Sequence, residues 1–330
     1  MAQGCLKDHS SMGRILFIRG GAVGDFILTM PAIRLVRETL PETEIEILGY
    51  PSIAELAVAT GLADRVRSIE DARLATFFAP GAKLDPDWCA YLAEFDVVVS
   101  YLYDPDGYFA GNLKVAGVET LVACPFRPVE DAPFVPAALQ FAKPLEQLAL
   151  FLDDAALSLD YPATPVLASL PAEKAGPLIA LHPGSGSPKK NWSFEAWVEV
   201  LTGLHAGNQN THFLITSGEA EESVISQFCA LLDESPLPYT HLSGHRLVDL
   251  GAIYRQVDYF LGHDSGVSHL AASAGAAGLL LFGPTNPKIW APVSARMKVL
   301  RSANGSPAGI SVAEVLEAID PESYSPPLRR

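Results

Sequence analysis

The sequence is poor in cysteine and in positive charge. Its 330 residues hold four cysteines, Cys5, Cys89, Cys124 and Cys229, widely spaced and without a Cys-x-x-Cys pair. That spacing supports neither a metal site nor a disulfide framework, so reduced thiols in a cytoplasmic protein are the plain reading. Lysine and arginine number 23 against 38 aspartates and glutamates, a net charge of −15. Such a balance repels the phosphate backbone and argues against nucleic acid as a partner. It leaves room for a small anion, because a few N–H groups and a lysine can hold a diphosphate locally. No apolar run reaches the length of a membrane span. Met1 to Gly13 is polar, lacks the apolar stretch of a secretory signal and reads as a loose leader.

What is present is globular composition, 49% hydrophobic and 18% charged, at a length that fits two domains. Arg14 to Arg19 is a short apolar run, expected as a buried parallel strand. A glycine-containing turn follows, then a helical pattern from Asp25 to Leu40 ended by Pro41, then a strand over 44–48. This β-turn-α-β unit opens a doubly wound sheet. Further on, 53–60 and 137–157 read as helices, and 65–69 and 95–100 as strands. The Pro-rich stretch Tyr161 to Pro177 reads as the linker. A second series then runs through strands at 178–181, 212–216, 259–262 and 278–282. Its helices are expected at 194–205, 219–232, 248–256, 267–274 and 312–319. The expected fold class is α/β, two Rossmann-like doubly wound domains facing a cleft, 1–165 and 166–330, with the last helix free to pack back on the first domain.

Three loops carry candidate chemistry, and each has a plainer reading. Gly20 to Asp25 places glycines before a helix, where the backbone approaches a ligand closely and N–H groups are unpaired; equally, Asp25 caps that helix. It lacks the G-x-G-x-x-G spacing of a dinucleotide loop. His182 to Trp192 sets small residues and two hydroxyls before Lys189 and Lys190, a phosphate cradle or a solvated loop. His263 to His269 follows an apolar strand and opens an Ala-rich helix, with Asp264, Ser265 and Gly266 at its start. Its plainer reading is an N-cap and a core histidine. No further ligand supports a metal at this place.

Taken in order, these segments resemble the bacterial ADP-heptose:lipopolysaccharide heptosyltransferases. R-I-L-F-I-R-G-G-A-V-G-D-F-I-L-T-M-P-A-I-R is similar to their opening. H-P-G-S-G-S-P-K-K-N-W is similar to their second signature. G-H-D-S-G-V-S-H-L-A-A-S-A-G and L-F-G-P-T-N-P are similar to their third. Ser265 stands for Thr, Asn286 for Asp and His263 for Asn; Ala22 stands where some members carry Ser. The stretch from Pro51 to Ala156 carries no signature.

The resemblance implies the GT-B fold, with an acceptor-binding domain first and a nucleotide-sugar domain second. It implies an inverting, metal-independent transfer of a heptose-like sugar from an ADP-sugar to a lipopolysaccharide-type or other glycan acceptor, with no cofactor. By matched position, Asp25 is the general base and Lys190 the lysine on the donor phosphate. Ser185 contacts the diphosphate, Glu222 the ribose, and His245 lies near the adenine. Asp264, Ser265, Gly266 and His269 surround the phosphates, and Gly21 and Gly24 shape the acceptor-side turn. A lipid-linked acceptor would bring the protein to the inner face of the membrane. Arg14, Arg19, Arg34 and Arg37 would be candidates for that contact, or simply a solvated face. The alternatives are a sugar-nucleotide epimerase on the same architecture and a non-catalytic nucleotide-sugar-binding protein.

Overall fold

The computed structural model describes residues 13–171 and 175–319. The leader with Cys5 and the Pro-rich tail lie outside the described residues. The chain falls into two compact units interleaved in sequence. The first takes residues up to Gly20, Ala32–Phe126 and Ala142–Phe151; the second takes Gly21–Pro31, Arg127–Phe141 and the chain from Leu152 on.

The first unit is built on β1 (Arg14–Arg19), β2 (Glu44–Gly49), β3 (Arg65–Ser68), β4 (Val97–Ser100) and β5 (Leu121–Ala123), in the order β3-β2-β1-β4-β5. Every pair is parallel. Central β1 is buried from Ile15 to Arg19, which is why its run shows no polar alternation. α1 (Val23–Thr39) follows β1, and the division between units falls within it, after Pro31. α2 (Pro51–Ala59), α3 (Pro86–Leu92) and α4 (Tyr108–Val115) complete the crossovers. Trp88, Leu92, Phe95 and Phe109 pack with Leu16, Ile18 and Val98 to form the core.

The short α5 (Ala137–Ala142) leads to the second sheet of β6 (Leu178–Leu181), β7 (His212–Ser217), β8 (Tyr239–Ser243), β9 (Tyr259–His263), β10 (Gly278–Phe282) and β11 (Met297–Arg301). Its order, β11-β10-β9-β6-β7-β8, is all parallel. Counted from its own first strand this is the dinucleotide-binding order read from the far edge, with the switch point between β6 and β9. The crossovers are α6 (Phe194–Gly207), α7 (Ile225–Asp233), α8 (Leu247–Tyr254), α9 (Gly266–Ser273) and α10 (Pro287–Trp290), and α11 (Val312–Ala318) ends the described chain. The final helix, expected to be free to pack back on the first domain, covers α6 of its own unit, where Leu316 lies over Gly203.

Other expectations are also corrected. The stretch 137–157 is not one helix. Its α-helix stops at Ala142, a 3-10 turn runs over Lys143–Leu148, and Ala149 turns away at φ 58°. Pro144 explains the break, since it lacks an N–H and excludes the α conformation before it. The stretch 219–232 divides into a 3-10 turn (Glu219–Glu221) and α7. The linker beginning at Tyr161 is anchored in the second unit, where the Tyr161 hydroxyl lies 2.8 Å from that of Ser273. The four arginines each have a partner within the fold. Arg14 pairs with Glu44, Arg34 with Glu38 and Arg37 with Asp64, while Arg19 is buried and donates to the Phe126 carbonyl at 3.0 Å.

A side chain at Gly251 would place its Cβ 2.4 Å from the Tyr161 ring. Gly251→Ala therefore forces the ring off α8, and a loss of about 1–3 kcal/mol is expected. The urea midpoint measures it; an unchanged midpoint would show that the Tyr161 segment is not part of the folded unit.

Candidate active site

The loops that follow β6, β9 and β10 meet at the carboxyl end of the second sheet, around its switch point. The first runs from His182 to Trp192. Trp192 anchors its far end: the indole is buried, donates to the Ile310 carbonyl at 3.1 Å and packs edge-on against Trp197. Its backbone N–H donates to His263 Nε2 at 2.8 Å. Accepting there requires the tautomer with the proton on Nδ1. Complete burial pushes the His263 imidazole down to about 3, so it stays neutral and keeps this role at any ordinary pH. Two residues before the anchored Trp192, on a 3-10 turn (Pro188–Lys190), stands Lys190.

The near end of the loop is fixed from below. His182 Nδ1 lies 3.1 Å from Thr216 Oγ1, which lies 2.8 Å from the Tyr254 hydroxyl. His182 Nε2 lies 3.5 Å from Glu221 Oε2, and the Gly218 N–H donates to the same oxygen at 3.0 Å. Burial pushes the Glu221 carboxyl up, but His182 and the Gly218 N–H outweigh it and hold it below the usual range. This carboxylate fills the space beside Gly184, where a Cβ would fall 2.1 Å from Oε1. The glycine of His-Pro-Gly is thus required by a buried glutamate 37 residues later in the chain, a dependence the sequence pattern does not reveal.

Asp264 is the centre of the cluster. It is buried, and its Oδ2 accepts from Lys190 Nζ at 2.7 Å and from the Thr285 hydroxyl. Ser265 caps α9 by accepting the Ser268 N–H at 3.3 Å. The first N–H groups of α9, at Gly266 and Val267, have no acceptor within the helix and lie beside this pair. His269 is one turn further in. Burial pushes its imidazole down to about 4 against the opposing pull of Asp264 and Asp25, and a hydrogen bond to the Trp290 backbone fixes the ring. The imidazole is therefore neutral near pH 7, and Lys190 carries the positive side-chain charge of the cluster.

Asp25 reaches this place through glycines. A Cβ at Gly266 would sit 2.8 Å from the Gly24 nitrogen, and one at Gly24 would sit 3.4 Å from the Gly266 Cα. The starts of α1 and α9 thus touch backbone to backbone, and the α9 side has room only for glycine. Asp25, in the first turn of α1, is close enough to His269 to influence its proton. The capping reading holds as well, since Asp25 Oδ2 accepts the Ala22 N–H at 3.3 Å. Gly21 supplies the preceding turn with φ 102°.

Among the residues singled out in the sequence, Asp25, Gly24, Lys190, Asp264, Ser265, Gly266 and His269 come together. Ser185 is in the same loop, but its hydroxyl is engaged by the Ser187 carbonyl at 3.0 Å and by the Asn191 side chain. Glu222 is exposed at the end of the 3-10 turn after β7, next to the buried Glu221. His245 lies beyond edge strand β8, with Asp249 of α8 as a charge neighbour. Thr285 and Glu221 were not singled out. Thr285 lies inside the quoted Gly-Pro-Thr-Asn-Pro motif, whereas Glu221 is distinguished from Glu222 only by the fold. Among the described residues no group of three His, Cys, Asp or Glu side chains could hold a metal ion.

Residues 137–316 match the profile of Glycosyltransferase family 9 (heptosyltransferase). The chain is 30% identical over 115 residues to the lipopolysaccharide core heptosyltransferase OpsX of Haemophilus influenzae, 34% of this chain and 32% of that protein. It spans about a third of the length of the curated relatives it matches. A glycosyl transferase family 9 structure from Veillonella parvula superposes with a TM-score of 0.75, at 17% identity, over 93% of this chain and 95% of that one. The Escherichia coli heptosyltransferase WaaC with ADP superposes with a TM-score of 0.69, at 18% identity, over 94% of this chain and all of that one. These likenesses establish the GT-B fold.

The buried neutral histidines make stability depend on pH. An unfolded histidine titrates near 6.5, whereas His263 and His269 titrate near 3 and 4 when folded. Between those values the unfolded chain binds protons that the folded chain does not, so stability falls as pH drops below about 6.5. Each histidine contributes about 1.4 kcal/mol per pH unit. Denaturant midpoints from pH 7 to 4 should show this decline, and His263→Asn should make it shallower. An unaltered slope in that variant would place the pH dependence elsewhere.

Proposed function

Because the chain belongs to glycosyltransferase family 9, the heptosyltransferase family, we propose that it transfers a heptose-like sugar from an ADP-sugar to a glycan acceptor of lipopolysaccharide synthesis, with inversion and without a metal. The observation that carries this reading is the meeting of Asp25, Lys190, Asp264, Thr285 and the start of α9 in one place.

In the reaction proposed, Asp25 accepts the proton of the acceptor hydroxyl as its oxygen attacks the anomeric carbon. The bond from that carbon to the diphosphate oxygen breaks, and ADP leaves with the electron pair. Lys190 and the N–H groups at the start of α9 stabilise the charge that develops. A unit charge pair at about 4 Å is worth roughly 4 kcal/mol at an effective dielectric of about 20, enough to serve where other transferases use a divalent cation. Asp264 is already engaged by Lys190 and Thr285, which favours Asp25 as the base and a single displacement. A lipid-linked acceptor would place the work at the cytoplasmic face of a membrane. No helix of the described residues is long and apolar enough to cross one.

Asp25→Asn should reduce transfer from ADP-heptose by about 10²–10⁴ while ADP affinity, measured by calorimetry, stays as in the parent. Transfer at the parental rate would remove Asp25 as the base. Lys190→Ala should weaken ADP by about tenfold or more, and transfer should persist in EDTA. Retained ADP affinity in Lys190→Ala, or loss of transfer in EDTA, would contradict the charge assignment.

A further inference from the structure

The first unit contains a cavity of about 330 Å³ at the carboxyl ends of β4 and β5, large enough for a small ligand. It adjoins the place where the order of that sheet reverses, between β1 and β4, where open α/β sheets bind ligands. The walls are aromatic. Tyr103 and Phe126 pack together with ring centroids 4.6 Å apart and planes tilted by 56°, and both are exposed, at 60% and 39%. Phe109 is buried behind them and stacks on Phe78. The lining also includes Ser100, Asp104 and Cys124.

Two features make this a built cavity. Arg19, buried at the end of β1, donates to the Tyr101 and Phe126 carbonyls at 3.5 and 3.0 Å and so ties together the loops after β4 and β5. Asp104 is pinned by the N–H groups of Phe109 and Ala110 at 3.0 and 2.8 Å. A carboxylate has about four lone-pair directions, so Asp104 keeps acceptor capacity in a fixed orientation. None of the lining side chains is cationic, and the charged one is Asp104. A phosphate or a second carboxylate finds no cationic side chain in this lining and meets the Asp104 carboxylate. A sugar ring offers what the walls ask for: a C–H face to lie on an aromatic ring and hydroxyls to donate to a fixed carboxylate.

We propose that this cavity is a saccharide subsite that stacks one neutral sugar ring on Tyr103 and Phe126 and receives its hydroxyls at Asp104. Its assignment to the acceptor rests on the transferase reading above; the preference for a neutral ring rests on the cavity alone.

Saturation-transfer NMR on the full chain tests it. The probes are the methyl glycosides of glucose, galactose and mannose at millimolar concentration, with glucuronic acid as the anionic counterpart. ADP affinity is measured in the same samples. At least one neutral glycoside should bind, and more tightly than glucuronic acid. Tyr103→Ala and Phe126→Ala should each weaken it by up to about tenfold, and Tyr103→Phe should retain it. No saturation transfer from any neutral glycoside, unchanged binding in the Tyr103→Ala/Phe126→Ala double variant, or a preference for glucuronic acid would each overturn the subsite. If ADP binds and glycosides do not, the subsite alone falls. If glycosides bind and ADP does not, the donor assignment falls and the subsite stands.

Discussion

Two glycine residues in contact determine where everything else in the site can stand. Gly24 and Gly266 bring the starts of α1 and α9 to backbone contact, and a Cβ on Gly266 would fall 2.8 Å from the Gly24 nitrogen. Each helix start carries a partial positive charge of about half an elementary unit. Two such ends repel unless negative charge lies between them. Asp25 and Asp264 supply it in the protein itself, and Lys190 partly balances them. The pocket is therefore poised between signs, and the diphosphate of the proposed donor would meet two helix starts and a lysine despite the acidic balance of the whole chain.

The lysine is useful only if its loop is held, and the holding is done by groups that take no part in the chemistry. His263 keeps the far end of the loop by accepting the Trp192 N–H, and the His182–Glu221 pair fills the space under Gly184 at its near end. Buried ion pairs and neutral histidines add little net stability, because desolvation offsets much of what they gain. Their effect is on geometry. They limit the positions the Lys190 turn can take, and the polar cluster rests on a buried layer beneath it.

Much of this was legible in the residues. β1, β6 and β10 fall where the apolar runs end at glycine or histidine, because strands buried on both faces read as unbroken apolar segments. The converging loops were legible because each follows such a strand. The edge strands β8 and β11 were not, since Y-T-H-L-S and M-K-V-L-R are half exposed and take their conformation from a single neighbour. α3 and α4 were hidden in a stretch without a signature; α3 starts on its Asp85 cap, and the first-turn N–H groups of α4 are taken by Asp104, three residues before its Gly107 N-cap. Asp25 could be singled out from the turn it sits in, yet what brings it beside α9 is steric and invisible in one dimension: a glycine in α1 opposite a glycine some 240 residues further on.

The interleaving of the units has an evolutionary consequence. The six-stranded sheet lies wholly after Leu152, but Gly21–Pro31, with Asp25, and Arg127–Phe141 come to its unit from the other half of the chain. A gene fragment encoding the second sheet alone carries the anion cradle without the carboxylate that faces it. Recombination at the linker between unrelated relatives would therefore exchange more than an acceptor specificity: it would pair one parent's α1 with another's α9, and the match between two glycines would have to survive the exchange.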